Sequence, residues 1–422
     1  MKPRKLMLVT TLYPYGWGEA FVKAELEHLS PFFDEVDIVP CVYNPQLQHA
    51  PINQTVNLGY AKLRWGARRG VQVVKAFVAA LVTFRWRDDA LKVLRSEHRL
   101  TNLKELARAL YRASMFQRFL AEQVAASGAI DIVYFYWMVP EILGAVQFRN
   151  QSGLPIKVIC RAHSGDLYEN LRAGGYAGLR QSIVNGVDQI YCISDFGRKY
   201  VVRHYPLHAQ KAHIARLGTN DPGFLNPHPR HCALSIVSCS FCVHEKRLNL
   251  IADAIAFLLA NDPTLTIEWT HVGDGPLYQQ LRSHVQKVLG QRAQVVFKGY
   301  LTQRQVMELY REAGFDVFVN VSNSEGIPVS LMEASSTGIP LVATDVGGSS
   351  EIVNASNGVL LPPNPDVAEI ANALLRFSDR ALAVQQRAAA RAFWHQQFNA
   401  PTNYQQFGQQ LVSILPCPVR AA

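Results

Sequence analysis

Runs of apolar, β-branched residues alternate with helical patterns along the 422-residue chain, and this alternation restricts the fold more than any other feature. Strands that alternate with helices form parallel sheets whose faces are covered by the helices. The predicted strands fall into two series: residues 5–10, 34–42, 131–136, 156–161, 188–193 and 213–217, then residues 234–239, 266–272, 293–297, 315–321 and 340–344. The sequence therefore predicts an α/β protein with two doubly wound domains.

A polar, proline-rich stretch separates the two series of strands. It runs from Asp221 to Arg230 and is typical of a linker. The chain length is that of two or three domains, and 49% of the residues are apolar, so each domain can bury its own core. We therefore predict an N-terminal domain over residues 1–221, a linker over 222–233, a C-terminal domain over 234–400 and a terminal helical segment over 401–422.

Two glutamates, Glu325 and Glu333, lie on either side of the start of a predicted helix. The apolar run 315–321 predicts a strand before them, Pro328 suits the first helical position, and Gly338 suits the helix end. Glu325 is therefore expected in the strand-to-helix loop, and Glu333 about one and a half turns into the helix. Taken alone, the pair also fits ordinary glutamates on a capped surface helix.

The start of this helix has the properties of an anion site. The backbone N–H groups of Gly326, Ile327 and Val329 are expected at the positive end of the helix dipole, which favours a diphosphate. The Glu333 carboxylate could accept two hydrogen bonds from a vicinal diol such as ribose. Together these features indicate a site for an activated sugar.

The segment from Ser322 to Gly338 resembles the Glu-x7-Glu motif of glycosyltransferase family 4, and the chain resembles bacterial exopolysaccharide and colanic-acid-type glycosyltransferases. Members of this family are retaining enzymes with the GT-B fold, in which two Rossmann-like domains face a cleft. The resemblance implies that the C-terminal domain binds the donor, with Glu325 beside the sugar and Glu333 on the ribose. It also implies that the last helix crosses back to the N-terminal domain.

A lysine follows the first strand of the C-terminal domain. The resemblance implies that Lys246 binds the donor diphosphate, and a compact ammonium at a helix start suits a leaving group that gains negative charge. Taken alone, Lys246 also fits a solvated helix start. The family usually adds an arginine five residues earlier, where this chain has Phe241. Either Arg247 or another basic residue supplies the second positive charge, or the diphosphate is held less firmly.

Two segments of the N-terminal half also resemble the family. The run 156–168 is similar to its Arg-Ala-His-Gly-x-Asp segment, which implies that His163 contacts the donor sugar near the reacting centre. An isolated histidine after a strand is otherwise structural. Gly16 and Gly18 follow the first strand, and a loop with glycines can approach a phosphate or sugar closely. The family usually has such a loop where acceptor and donor meet.

Basic residues outnumber acidic ones by 42 to 33, which gives a formal net charge of +9. This balance favours phosphate-rich ligands and anionic lipid. Because the chain has no nucleic-acid recognition motif, nucleic acid is not among the predicted partners. Much of the excess lies between Lys62 and Arg99, where basic residues flank the apolar stretch 71–84. This stretch either lies on an anionic membrane surface or is an ordinary helix that covers the first sheet.

The sequence carries no signal for export or membrane insertion. No apolar run reaches the ~20 residues that span a bilayer, and the first residues lead directly into a strand. Seven cysteines with scattered spacings fit a reducing compartment. We therefore expect a cytoplasmic protein that is peripheral on the inner face of the cytoplasmic membrane.

A zinc site is an alternative interpretation of Cys239 and Cys242, which lie near several histidines. However, Cys239 ends a predicted buried strand, and structural zinc sites favour paired ligands at set spacings. The donor half also lacks an Asp-x-Asp sequence. We therefore predict that no metal and no cofactor is required.

The leading hypothesis is a retaining glycosyltransferase that moves a hexose-type sugar from a UDP- or GDP-linked donor to a glycan in cell-surface or exopolysaccharide biosynthesis. The acceptor is expected to be linked to polyprenyl diphosphate. One alternative is a GT-B nucleotide-sugar epimerase or hydrolase, which needs no glycan acceptor. Another is a non-catalytic nucleotide- or polyanion-binding protein, in which Phe241 marks a lost diphosphate clamp.

Overall fold

The computed structural model describes residues 4–15, 19, 21–43, 54–65, 84, 86–169, 172, 174–229 and 234–416. The chain divides into two compact units. The N-terminal unit consists of Met1–Ala215 together with Tyr404–Ala422, and the C-terminal unit consists of Arg216–Asn403. Each unit is built around one sheet in which all described strands are parallel.

The sheet of the N-terminal unit has seven strands among the described residues, in the order β3-β2-β1-β4-β5-β6-β7. The strands are β1 Lys5–Thr10, β2 Glu35–Pro40, β3 Thr55–Val56, β4 Ile132–Phe135, β5 Lys157–Ala162, β6 Gln189–Cys192 and β7 Ala212–Ile214. The α-helices are Phe21–Leu29, Gly59–Trp65, Arg87–Arg95, Arg99–Ser127, Glu141–Ser152, Ser164–Leu167, Arg180–Gly186 and Asp195–His204.

The sheet of the C-terminal unit has six strands among the described residues, in the order β10-β9-β8-β11-β12-β13. The strands are β8 Leu234–Cys239, β9 Ile267–Val272, β10 Gln294–Phe297, β11 Val317–Asn320, β12 Leu341–Thr344 and β13 Gly358–Leu361. The α-helices are Leu248–Asn261, Tyr278–Val288, Gln303–Glu312, Val329–Ser336, Val367–Leu375 and Arg380–Gln397; a last helix, Ala400–Ser413, contributes its residues from Tyr404 onward to the N-terminal unit.

The strand order reverses once in each sheet. In the N-terminal unit the reversal lies between β1 and β4, and in the C-terminal unit it lies between β8 and β11. The loops that leave the two central strands of such a sheet run to opposite sides, which opens a crevice at the carboxyl ends of the strands. These are the places where ligands bind to open parallel sheets.

Both faces of the N-terminal sheet are buried. Along β1, Leu6 and Leu8 pack into one apolar cluster, whereas Met7 and Val9 pack into another on the opposite face, as the two-residue period of a strand requires. A strand that is buried on both faces is apolar at every position. This burial explains why β1 appears in the sequence as a continuous apolar run.

The end of the chain closes one face of the N-terminal sheet. Phe407 packs edge-on against Tyr134, with ring centroids 5.6 Å apart, and the guanidinium of Arg161 lies 4.6 Å from the Phe407 ring centroid. Arg161 is fully buried and pairs with Glu25, at 3.3 Å between Nη2 and Oε2. The buried charge of Arg161 is therefore shared between a carboxylate and aromatic faces.

The predicted fold class is confirmed, and the eleven predicted strands are all present. Two edge strands, β3 and β13, were not predicted because β3 has only two residues and β13 begins with a glycine. The strand predicted at 213–217 covers Ala212–Ile214 instead. Pro328 precedes the helix Val329–Ser336 as its cap, with ψ of 107°, rather than occupying the first helical position.

The described part of the chain contains no helix that combines the length and the hydrophobicity needed to cross a bilayer. Half of the basic and apolar segment predicted over residues 62–99 lies outside the described residues, including the apolar stretch 71–84 except Phe84, as do Gly16 and Gly18.

Substitution of Gly144 by alanine should destabilise the N-terminal unit. A Cβ at this position would lie 2.1 Å from the carbonyl oxygen of Ala113 on the neighbouring helix. Overpacking of this kind costs about 1–3 kcal/mol, more than the ~1 kcal/mol that alanine gains over glycine in a helix. Thermal unfolding measures the difference. Gly165→Ala is the matched control, because nothing lies within 4 Å of its Cβ position, and equal destabilisation by the two substitutions would contradict the packing argument.

Candidate functional site

A lysine and a glutamate meet at the strand-order reversal of the C-terminal unit. Lys246 lies in the 3-10 turn His244–Lys246 that follows β8, and Glu325 lies in the loop that follows β11. The Lys246 Nζ is 2.5 Å from Glu325 Oε1. The structure therefore brings together two residues that the sequence predicted separately, one as a diphosphate ligand and one as a sugar ligand.

Arg247 fastens the loop after β8 to the loop after β11. Its Nε donates to the Val321 carbonyl at 2.7 Å, and its Nη2 donates to the carbonyls of Ser322 at 2.9 Å and Pro363 at 2.8 Å. Arg247 adopts a left-handed backbone conformation with φ of 47°, which is uncommon for a residue other than glycine. Its guanidinium therefore holds the loops in place. The prediction that Arg247 binds the donor stays a prediction.

Asn320, which sequence reasoning missed, orients Glu325. Its side-chain nitrogen donates to Glu325 Oε1 at 3.1 Å. The Ser322 backbone N–H and hydroxyl both donate to Asn320 Oδ1, at 3.0 and 2.5 Å, and these bonds fix the orientation of the amide. Glu325 is therefore held by two donors, the ammonium of Lys246 and the amide of Asn320.

The glycine turn after β12 lies directly on the Glu325 loop. A Cβ on Gly347, whose φ is 56°, would lie 1.9 Å from the Glu325 carbonyl oxygen. The next residue, Gly348, donates its backbone N–H to the carbonyl of Gly326 at 2.7 Å. Both positions require glycine because the Glu325 loop approaches their backbone closely, and Gly347 requires it also for its positive φ. The turn therefore packs against the backbone of the loop that carries Glu325 and helps to position it.

Glu333 lies in the helix Val329–Ser336, where its side chain is half-buried. Burial raises the pKa of Glu333 to about 7, although a hydrogen bond from Gln303 lowers it in part. In that bond Gln303 Nε2 lies 3.0 Å from Glu333 Oε1. Burial also raises the pKa of the Cys239 thiol to about 12. The charge of Glu333 adds to this rise, whereas the charge of Lys246 opposes it. Glu333 and Lys246 are thus both electrostatic neighbours of the last residue of β8.

The backbone N–H groups of Gly326, Ile327 and Val329 belong to the segment that enters this helix. Pro328 is its cap residue and the helix proper begins at Val329. Val329 is therefore the first helical residue, whereas Gly326 and Ile327 precede the cap, so only one of the three N–H groups belongs to the helix start itself. The assignment of these groups to a ligand stays a prediction.

The loops after β9 and β10 join the same end of the sheet. The Gly273 N–H donates to the Gly299 carbonyl at 2.8 Å, and a Cβ on Gly273 would lie 1.8 Å from the Ser240 carbonyl oxygen. Next to Ser240, the Phe241 side chain is 63% exposed. Phe241 is therefore not part of the core, and the position where the family usually has an arginine is open to solvent.

A buried histidine explains part of the cysteine pattern that the zinc interpretation used. The Nδ1 of His271 is 2.9 Å from the Ser238 hydroxyl, and its Nε2 is 3.3 Å from the Cys242 sulfur. Burial lowers the pKa of His271 to about 4. Across the described residues, no three or more His, Cys, Asp or Glu side chains are arranged to hold a metal ion. The expectation that no metal or cofactor is required stays a prediction.

In the N-terminal unit, His163 follows β5 and is only 7% exposed. Its ring lies against Trp137, with ring centroids 4.3 Å apart, and against Tyr136, at 5.1 Å. Its backbone N–H donates to Asp166 Oδ1 at 2.7 Å. Within the described part of the chain, both ring nitrogens of His163 are buried without a hydrogen-bond partner, and Nδ1 lies 3.9 Å from Asp166 Oδ2. The contact of His163 with a donor sugar stays a prediction.

Glu19 is the second functional residue that sequence reasoning missed. Its buried carboxylate accepts the backbone N–H groups of Thr11, Leu12 and Tyr13 at 3.0, 2.6 and 2.6 Å. It also accepts the indole N–H of Trp137, so it fixes both the loop after β1 and the ring that covers His163. The signal in the sequence is a single acidic residue after a loop of glycines and aromatics.

Comparison with known proteins matches both halves of the chain. The family described as "Glycosyltransferase Family 4" matches residues 63–221, and the family described as "Glycosyl transferases group 1" matches residues 234–380. The first match covers strands β4 to β7, and the second covers the loops that carry Lys246, Glu325 and Glu333.

Curated relatives match this chain over different shares of its length. The amylovoran biosynthesis glycosyltransferase AmsK of Erwinia amylovora is 29% identical over 48% of this chain and 51% of its own length. WcaL of Escherichia coli (strain K12), a glycosyltransferase assigned to colanic acid biosynthesis, is 25% identical over 78% of this chain and 82% of its own. A UDP-Gal:alpha-D-GlcNAc-diphosphoundecaprenol alpha-1,3-galactosyltransferase of Escherichia coli is 29% identical over 32% of this chain and 34% of its own. The chain thus spans about half of AmsK and one third of the galactosyltransferase.

Solved structures share the fold over nearly the whole chain. The lipopolysaccharide outer core galactosyltransferase WaaB superimposes with a TM-score of 0.69 at 15% identity, over 97% of this chain and 99% of its own. Anabaena HepE in complex with UDP and glucose superimposes with a TM-score of 0.64 at 15% identity, over 97% and 100%. At this level of identity the similarity establishes the GT-B fold.

The raised pKa of Glu333 predicts a pH-dependent stability that Glu333→Gln should remove. The folded protein keeps a proton up to pH about 7 that the unfolded chain releases above its ordinary pKa of 4.5. Stability contributed by the protonated carboxyl is therefore lost as the pH rises through this window. Glutamine cannot ionise, so the variant should be more stable than the wild type at pH 8, by on the order of 1–3 kcal/mol, and similar to it at pH 4.5.

Unfolding midpoints of the wild type and of Glu333→Gln at the two pH values test this expectation. Glu312→Gln, on an exposed position of the helix Gln303–Glu312, is the matched control. An identical pH dependence for the wild type and Glu333→Gln would show that burial does not hold a proton on Glu333.

Proposed function

Because this chain belongs to glycosyltransferase family 4 and has the GT-B fold, we propose that it moves a hexose from a nucleotide sugar to a glycan acceptor in the assembly of a cell-surface or exported polysaccharide. One observation carries the proposal. Lys246 and Glu325 meet at the carboxyl ends of β8 and β11, where an open parallel sheet binds its ligand, and Glu333 lies in the helix that follows the Glu325 loop. A nucleotide diphosphate sugar would be matched by these features: a cation in Lys246, an anion site at the helix start, and a diol acceptor in Glu333.

The donor is proposed to be UDP-linked, with a GDP-linked sugar as the alternative. HepE, which has the same fold, is described in complex with UDP and glucose, and one relative is named for a UDP-galactose donor. In this proposal Glu333 holds the ribose, and the N–H groups of Gly326, Ile327 and Val329 hold phosphate or sugar oxygens. Hydrogen bonds from a diol would lower the pKa of Glu333, because they favour the charged form of the carboxylate.

Lys246 is proposed to stabilise the leaving diphosphate. As the bond between the anomeric carbon and the phosphate oxygen breaks, the bonding electrons pass to that oxygen and negative charge accumulates on the diphosphate. The ammonium of Lys246 and the helix N-terminus lie at this part of the site. The two positive elements would offset the absence of an arginine at the position of Phe241, and no metal ion is needed in this proposal.

His163 is proposed, from the resemblance, to contact the sugar near the reacting centre. Its ring is held between aromatic neighbours and its main chain is tied to Asp166. Trp137, which covers it, is itself tied to Glu19. A ring held on several sides loses little freedom when it contacts a substrate. Retention of the anomeric configuration is likewise proposed from the family.

The acceptor is proposed to carry its glycan on a polyprenyl diphosphate. One relative is named for an acceptor of this kind, a GlcNAc-diphosphoundecaprenol, and other relatives are named for exported polysaccharides. Such acceptors reside in a membrane, so the proposal requires that the enzyme reach a membrane surface.

A thermal-shift panel tests the donor proposal. UDP, GDP, ADP and their hexose conjugates are compared on the wild type and on Glu333→Ala, because a ligand that binds the native state raises the unfolding midpoint. We expect stabilisation by the uridine series and its loss in Glu333→Ala, since a hydrogen bond to a charged group contributes about 1.5–3 kcal/mol. Glu312→Ala should respond like the wild type.

Absence of a shift with every nucleotide would overturn the proposed function. Equal shifts in the wild type and Glu333→Ala would remove Glu333 from the nucleotide site. Release of a modified or free sugar from the donor alone, at turnover rates, would favour the epimerase or hydrolase. The anomeric configuration of a transferred sugar, measured by NMR on the product, tests retention.

Peripheral membrane association is supported by an exposed apolar patch in the N-terminal unit. The leucine patch consists of four leucines, each at least half exposed, on the helix Arg87–Arg95 and the first turns of the helix Arg99–Ser127: Leu91, Leu94, Leu100 and Leu103. Exposed basic residues lie on the same two helices, namely Lys92, Arg95, Arg99 and Lys104, with Glu97 as an acidic neighbour and Lys92 paired with Glu169. An apolar patch with a basic rim matches the surface of an anionic bilayer.

Flotation with lipid vesicles tests this association. Wild-type protein should float with vesicles that contain phosphatidylglycerol and should float less with vesicles of phosphatidylcholine alone. The double substitution Leu94→Asp and Leu103→Asp should reduce flotation several-fold, because two charged groups would have to enter the interface. Leu207→Asp, at a leucine that is 86% exposed in the same unit, is the control. Undiminished flotation of the double variant would exclude the leucine patch as the membrane contact.

A further inference from the structure

A glutamine and a glutamate from two distant segments of the C-terminal unit share a hydrogen bond. The Nε2 of Gln303 lies 3.0 Å from Glu333 Oε1, although the two residues are 30 positions apart in sequence. Gln303 follows β10, and Glu333 lies in the helix that follows β11. Both segments leave the carboxyl ends of parallel strands, so the pair belongs to the end of the sheet that carries Lys246 and Glu325.

The start of the helix Gln303–Glu312 is fixed by local hydrogen bonds. Thr302 is the cap residue, and its hydroxyl accepts the N–H of Gln305. In return, the Gln305 side-chain oxygen accepts the Thr302 N–H at 2.9 Å. Such a capping box satisfies backbone donors at a helix start. Gln303 is the first helical residue and its side chain is exposed, so the main chain is held here without a contribution from the Gln303 amide.

The Gln303 amide keeps hydrogen-bonding groups that no protein group uses. A primary amide has two N–H donors and one carbonyl acceptor. Across the described residues, the Gln303 side chain makes no hydrogen bond other than the one to Glu333. The Glu333 carboxylate also retains acceptor positions, because Gln303 engages Oε1 only. One amide N–H, one amide carbonyl and one carboxylate oxygen therefore remain for a ligand.

A carboxylate beside an amide is complementary to hydroxyl groups. A hydroxyl donates one hydrogen bond and accepts others, whereas an ionised carboxylate only accepts. The Gln303 amide supplies the donor that Glu333 lacks. Its bond to Glu333 also lowers the pKa of that carboxyl against the effect of burial, which favours the charged form that accepts more strongly.

We propose that Gln303 is a specificity-determining residue of the donor site and binds a ribose hydroxyl together with Glu333. The inference rests on the proposed function, because it takes Glu333 as the ribose ligand. One hydroxyl of the diol donates to Glu333 and accepts the second N–H of Gln303, and the neighbouring hydroxyl donates to the other carboxylate oxygen. This division changes the assignment made from the sequence, in which Glu333 alone accepts from the diol. The pair selects ribonucleotides over deoxyribonucleotides.

Calorimetric titration with UDP, 2′-deoxy-UDP and 3′-deoxy-UDP tests the proposal. Gln303→Met keeps the length of the side chain and removes its hydrogen bonds, so it should bind UDP about three- to tenfold more weakly than the wild type. One of the two analogues lacks the hydroxyl that Gln303 binds. Its loss of affinity relative to UDP should be about three- to tenfold smaller in Gln303→Met, because only in the wild type does removal of this hydroxyl break a bond to Gln303.

Two further variants sharpen the test. Gln303→Glu keeps the size of the side chain but replaces the donor by an acceptor, so two carboxylates would face each other, and this variant should bind UDP more weakly than Gln303→Met at pH 8. Gln286→Met, at an exposed glutamine of the helix Tyr278–Val288 in the same unit, is the matched control and should keep the wild-type affinities for all three ligands. Circular dichroism and unfolding midpoints establish that the variants are folded.

The outcomes separate this inference from the proposed function. If both deoxy analogues lose the same affinity in the wild type and in Gln303→Met, the inference is overturned while UDP binding stands. Tighter UDP binding by Gln303→Met would also overturn it, because the amide would then compete with the ribose for Glu333. If no nucleoside diphosphate binds the wild type, the proposed function and the inference are both overturned. Should the thermal-shift panel identify GDP or ADP, the same titrations use that nucleotide and its deoxy analogues.

Discussion

The pairing of β8 with β11 is the contact on which the C-terminal site depends. These strands are neighbours in the sheet although the residues that follow them, Lys246 and Glu325, are 79 positions apart in sequence. Because consecutive strand order reverses at this pair, the two loops leave the sheet in opposite directions and open a crevice between them. Arg247 then ties the loops back together through backbone carbonyls. The geometry of the two loops thus depends on the Arg247 side chain and on the main-chain carbonyls that accept from it.

Few basic side chains lie at the crevice of the C-terminal unit. Phe241 is exposed at the position where the family usually has an arginine, and Arg247 directs its donors to carbonyl groups. Lys246 is consequently left as the principal side-chain cation beside the helix that begins at Val329. Its ion pair with Glu325 keeps the ammonium at the site. In the proposed function the helix N-terminus therefore carries a larger share of diphosphate binding than in relatives with two basic side chains.

The N-terminal unit repeats the same architecture with a different chemistry. Its strand order reverses between β1 and β4, and buried carboxylates hold the segments that follow these strands. Glu19 accepts backbone N–H groups of the loop after β1, and Glu141, after β4, pairs with Arg112. Burying a carboxylate is expensive unless several donors meet it, and both of these carboxylates have at least three.

Lys246, Glu325, Glu333 and His163 were identified from the family resemblance, and their roles stay predictions. Local sequence was sufficient for eleven of the thirteen described strands, because burial on both faces makes a parallel strand a continuous apolar run. It was not sufficient for edge strands as short as β3, or for partners distant along the chain. Asn320 became visible only once β11 placed it under Glu325, and Glu19 only once Trp137 met it. The raised pKa of Glu333 likewise arises from burial, which depends on tertiary packing and leaves no periodic signal in the sequence.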